Sequence, residues 1–117
     1  MDSQTYDEVE TDARLPKHLR AEAKRGAVEE LVHWWHATVG SSPMAISQML
    51  ARVPYPSRIH AALVTLTENG DPNAANVESE LGRRLQGRLS WRTESSELKL
   101  RILMSSRGVL FQVTPCK

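Results

Sequence analysis

The chain has 117 residues, 40% of them hydrophobic and 25% charged, with a formal net charge of +1; this is the make-up of one ordinary globular domain with a modest core. A single cysteine, Cys116, excludes a disulfide framework and a multi-cysteine zinc site, and it fits a reducing, cytoplasmic setting. No apolar run approaches the roughly 20 residues of a membrane span, and the opening MDSQTYDEVETDAR is acidic without the apolar core of a signal peptide.

The small net charge hides an uneven distribution. Residues 1–12 carry Asp2, Asp7, Glu8, Glu10 and Asp12 and no Lys or Arg, for −5. Residues 13–80 balance seven basic against seven acidic side chains. Residues 81–117 carry eight cations against Glu94 and Glu97, for +6. Such asymmetry points to an acidic tail and a basic working end.

Residues 1–16 lack apolar periodicity and end in Pro16, which predicts a disordered or loosely held acidic tail. Such a tail could lie over the basic end and screen it. Residues 17–117 read as a single domain. From Lys17 to Val39, Val28, Leu31, Val32, Trp35 and Val39 recur at helical steps, and Gly40 supplies the stop. Ser42 is the expected N-cap of a second helix with Pro43 at its first position. Ile46, Met49, Leu50 and Val53 are its core side chains, and PYP at 54–56 breaks the chain. Ser57 then caps a third helix carrying Ile59, Ala62, Leu63 and Leu66. After the turn ENGDPN, Asn76 is the expected cap of a fourth helix running to about Gly87. Val77, Leu81 and Leu85 form its stripe, and Gly82 inside it suggests a closely packed neighbour.

The period then changes. Leu98, Leu100, Ile102 and Met104 alternate with Lys99 and Arg101, and Val109, Phe111 and Val113 with Leu110 and Gln112, the period-two pattern of half-buried strands. SSRG at 105–108 joins them as a hairpin, with Gly108 suited to a positive φ. The expected fold is α+β and mostly α-helical: four helices followed by a C-terminal β-hairpin, in the order of a winged helix-turn-helix.

Several pieces occur in the order found in a known family: Trp35-His36-Ala37, Gly40, Pro43, Ile46, Leu81-Gly82-Arg83, Leu85, Gly87-Arg88, and Arg107-Gly108-Val109 with Phe111 and Val113. Over about residues 28–114 the chain resembles the C-terminal module of primase and helicase proteins of phages and integrated mobile elements. That resemblance implies a winged-helix-like appendage near replicative enzymes, and no catalysis.

The residues themselves carry no enzyme signature. GxxxxGK[ST], HExxH and GxSxG are all missing from the sequence. His33, His36 and Glu29 stand at helical spacing, but without a second ligand cluster they read as the border of a packed face around Trp35 and not as a metal site. No cofactor is implied. The chemistry lies in the arginines. On a helix from Asn76, Arg83 shares a face with Gln86, and Arg84 and Arg88 form an i,i+4 strip; guanidiniums so placed can pair with phosphates or read guanine edges. Arg92 continues the segment, and Lys99, Arg101 and Arg107 on the hairpin would hold the flanking backbone. Trp91, between Arg88 and Arg92, is a candidate for stacking on a base. The bland counterpart is a solvated helix face with Glu80 paired to Arg84.

The expected function is therefore a non-enzymatic nucleic-acid-binding accessory module of phage or mobile-element origin, its partner DNA or an acidic nucleoprotein surface. A second reading stays open: a small phage-type protein that binds and inhibits a host protein machine, as an anti-CRISPR inhibitor does. Trp34, Leu103 and Leu110, off their core faces, would then serve a host complex or a second copy of the chain.

Overall fold

The structure, a computed structural model, describes residues 16–68 and 70–116. The expected acidic tail lies outside the described residues except for Pro16. Four helices precede a three-stranded antiparallel sheet, so the fold is α+β and mostly helical. Helix α1 spans Lys17–Val39 and buries Ala27, Val28, Leu31, Val32 and Trp35 along one stripe. It ends where Gly40 turns to φ 65° and donates its N–H to the His36 carbonyl at 2.8 Å.

Helix α2 spans only Ile46–Leu50. The Ser42-Pro43 start expected from sequence is not used. Met44 instead lies extended beside Phe111, and the two exchange both backbone hydrogen bonds at 2.8 Å. Those two bonds need a strand conformation at Met44, so the helix cannot begin until Ile46, with Ala45 as N-cap. Helix α3, Arg58–Leu66, begins as expected: the Ser57 hydroxyl accepts the His60 N–H.

Helix α4, Ala74–Leu85, starts and stops earlier than its sequence suggests. Its cap is Asn73, whose side chain accepts the Asn76 N–H at 2.9 Å. Asn76 is thus already inside the helix, and its own amide donates to the Asp71 carbonyl. At the far end Gln86 takes the left-handed conformation (φ 52°, ψ 44°), and Gly87 follows at φ 81°. Helical periodicity therefore does not reach Arg88. Gly82 has no close neighbour either: a Cβ built on it meets nothing within 4 Å.

The C-terminal unit has one more strand than the expected hairpin. β1 (Ser90–Arg92), β2 (Leu98–Ser105) and β3 (Gly108–Pro115) pair in sequential order. The β1–β2 turn closes on Thr93, whose buried hydroxyl donates to the Leu98 carbonyl and accepts the Leu98 N–H. The turn is also tied to α1: Arg25 meets Glu94 at 3.2 Å, and the Glu94 N–H donates to the Glu29 carboxylate. The β2–β3 loop is only Ser106–Arg107, closed by the Ser105–Gly108 pair.

Leu98, Leu100, Phe111 and Val113 turn one face of the sheet inward, where they join the stripes of α1, α3 and α4 in one core. At its centre Trp35 meets Phe111 edge to face, with centroids 6.4 Å apart, an orientation favoured by the ring quadrupoles.

Candidate nucleic-acid interface

The seven cations expected to form one binding face are distributed over three settings and a turn. The first setting is the outer face of the sheet. Residues directly opposed in the register share a face. Arg92 faces Lys99, Arg101 faces Ser90 and Gln112, and Lys99 faces Thr114. All lie on the side away from Leu100 and Phe111, because side chains alternate along a strand. Arg92 and Arg101 are exposed and Lys99 is half-buried. No carboxylate occupies a paired position on this face; its other members are Ser90, Leu103, Ser105, Gly108, Leu110, Gln112 and Thr114. Among the described residues none of these three cations has an ion-pair partner.

The second setting is a groove between α1 and α4, which takes Arg83 and Arg84. Glu80 pairs here with Arg83 at 3.1 Å and with Lys24 of α1 at 3.1 Å, and not with Arg84 as its i,i+4 spacing suggested. Lys24 also meets Glu68 at 2.7 Å. Burial works against the Lys24 charge, but its bonds to Glu68 and Glu80 outweigh that and hold its pKa above the ordinary lysine value. The hydrogen bond from Lys24, and then its charge, holds the Glu68 carboxyl below the usual range.

The third setting is the hairpin tip. Arg107 lies beside Ser47 of α2 and Ala74, Ala75 and Glu78 of α4. Glu78 and Glu80 are two residues apart, about 200° around a helix of 3.6 residues per turn. The body of α4 thus separates Arg107 from the α1 groove. Arg88 stands exposed in the turn between α4 and β1, so the expected Arg84–Arg88 strip does not form.

Trp91 is not on the cationic face. It pairs with Leu100 on the inner side and packs, partly buried, against the core. Trp34 also packs against the core, whereas Leu103 and Leu110 oppose each other, half-buried, on the outer face. His33 lies 3.8 Å from Glu29, and among the described residues no group of three or more His, Cys, Asp or Glu side chains is disposed around a common point. Among the described residues no helix is long and apolar enough to cross a membrane.

Two sets of residues escaped the sequence reading. Ser90 became a partner of Arg101 only through the register of the three-residue β1, and Gln112 and Thr114 became partners of Arg101 and Lys99 through the register of β2 with β3. Lys17 and Arg20, which line the groove with Arg84, were legible: with Lys24 they recur at three- and four-residue steps on α1. The chain matches no protein-family model, and neither a curated protein nor a solved structure matches it.

Proposed function

We propose that this chain is a non-enzymatic, cytoplasmic nucleic-acid-binding module that holds the phosphate backbone on the outer face of its C-terminal sheet. The observation that carries this reading is the cation triad Arg92, Lys99 and Arg101 at adjoining register positions, with no carboxylate among the paired residues of that face. Guanidinium and ammonium groups on a pleated surface meet phosphates as charge-assisted hydrogen bonds. Ser90 and Thr114 between them add neutral hydroxyls suited to the same backbone. No aromatic ring belongs to this face, so binding rests on phosphates and is indifferent to sequence. The resemblance to the C-terminal module of phage and mobile-element primase-helicase proteins supports an accessory role beside a replicative enzyme.

The test is a salt titration of duplex and single-stranded DNA binding, followed by fluorescence anisotropy. Log affinity falls linearly with log salt, and Arg92→Ala with Lys99→Ala and Arg101→Ala lowers that slope by about 2–3, roughly one per lost phosphate contact. Absence of binding, or a slope unchanged in the folded triple variant, refutes the proposal.

One observation favours the second reading, an inhibitor that docks on an acidic host protein. Leu89 and Met104 are 74% and 77% exposed, and the Leu89 carbonyl accepts the Ile102 N–H at the same end of the sheet. Capture of a host complex from nuclease-treated lysate, lost on Leu89→Ser with Met104→Ser, would favour the inhibitor over the nucleic-acid module.

A further inference from the structure

The groove between the start of α1 and the end of α4 encloses about 470 Å³, a volume ordinary for small-molecule clefts. Five cations line it, Lys17, Arg20, Lys24, Arg83 and Arg84, against two carboxylates, Glu68 and Glu80. Both carboxylates are already engaged by Lys24, and Glu80 by Arg83 as well. Arg84 is left over. Its Nε is buried and has no hydrogen-bond partner, and among the described residues it has no ion-pair partner. A buried guanidinium N–H without an acceptor is costly and uncommon in native proteins; the same guanidinium lines the groove, and an anion there would answer its unpaired charge. Lys17 and Arg20, exposed on the opposite wall, would close on the same charge. Helix α1 begins here, and among the described residues no side chain caps its first N–H groups, so its positive end adds to the field.

We propose that this groove is a phosphate-binding site, with Arg84 as its anchor and Lys17 and Arg20 as its second wall. The planar fork of Arg84 matches two phosphate oxygens, as an ammonium cannot. The site takes a multiply charged phosphate, either a free polyphosphate or the terminal phosphate of a nucleic-acid strand. None of the sheet cations lines it, so it does not depend on the sheet-face reading.

Calorimetric titration of the full chain with inorganic pyrophosphate at low salt tests it. Saturable binding is expected. Arg84→Gln weakens it by about tenfold or more, the loss of a charge-assisted contact. Lys17→Ala with Arg20→Ala, on an exposed wall where folding is not at risk, weakens it by a similar factor. Arg92→Ala with Lys99→Ala and Arg101→Ala leaves it unchanged, which separates this site from the sheet face. No saturable binding by the native chain overturns the proposal, as does native affinity in either groove variant. The source of the phosphate is then read on the sheet triple variant with 5′-phosphorylated and 5′-hydroxyl oligonucleotides of one sequence. A preference for the phosphorylated strand assigns a strand end, and equal binding assigns a free polyphosphate.

Discussion

Two single residues carry local energetics that point mutation can read. Gly82 occupies the interior of α4 although nothing approaches the position of a Cβ. The helix therefore bears the conformational entropy of glycine without a packing return. Gly82→Ala is expected to raise stability by about 0.5–1 kcal/mol, measured by urea denaturation; a loss of stability would mean that a neighbour does need the space. Thr93 is the opposite case. Its hydroxyl is buried, and it serves both the N–H and the carbonyl of Leu98. Thr93→Val keeps the shape but strands the Leu98 N–H, at a cost of about 1–3 kcal/mol. Thr93→Ser retains the bonds and should recover most of it. Equal stability of the valine and serine variants would show that the hydroxyl does not hold the turn.

Ion pairing at the scale of elements joins α1 to α4 and to the chain after α3 through Lys24, Glu68 and Glu80. Glu68 titrates below its ordinary value because Lys24 bonds it. In acid the unfolded chain therefore binds more protons than the folded one. The contribution of Glu68 is fully present above the ordinary glutamate pKa and is lost as pH falls through its lowered folded value. Denaturation midpoints from neutral pH downward should fall, and Glu68→Gln should flatten part of that fall; an identical pH profile in the variant would exclude Glu68 as a source. The elements themselves were largely legible. The stripes at Val28–Trp35, Ile59–Leu66 and Val77–Leu85 and the alternation in β2 and β3 are periodic over many residues, and burial followed them. What escaped was set by partners distant in sequence. Met44 became a strand residue because Phe111 was there to pair with it. β1 is three residues long, too short for any period, and exists because β2 offers an edge. The arginines were legible as a basic segment but not as a site. Their grouping follows from the left-handed turn at Gln86, which removes Arg88 from the helix, and from a register that no local pattern encodes.

In the whole molecule, helices and sheet share a single core. Trp35 of α1 meets Phe111 of β3, Met44 bonds to the same strand, and Arg25 and Glu29 of α1 hold the β1–β2 turn. Unfolding the sheet would strip Phe111 from Trp35, while unfolding α1 would uncover part of the inner face of β2 and β3. Neither half can bury its apolar side alone, so the described domain is expected to unfold as one cooperative unit. Its tryptophans allow a direct check, since Trp34 and Trp35 lie on α1 and Trp91 on β1. Trp91→Phe leaves fluorescence that reports the helical side. Trp34→Phe with Trp35→Phe leaves fluorescence that reports the sheet. In each variant the fluorescence midpoint in urea should coincide with the midpoint of that variant's own far-ultraviolet helicity. Divergence in the second variant, with the Trp91 signal changing first, would mean that the sheet opens separately and that its basic face is a mobile arm on a helical base. Coincidence would fix the sheet cations and the α1–α4 groove on one rigid body. Phosphates bound at both would then be held at a set separation.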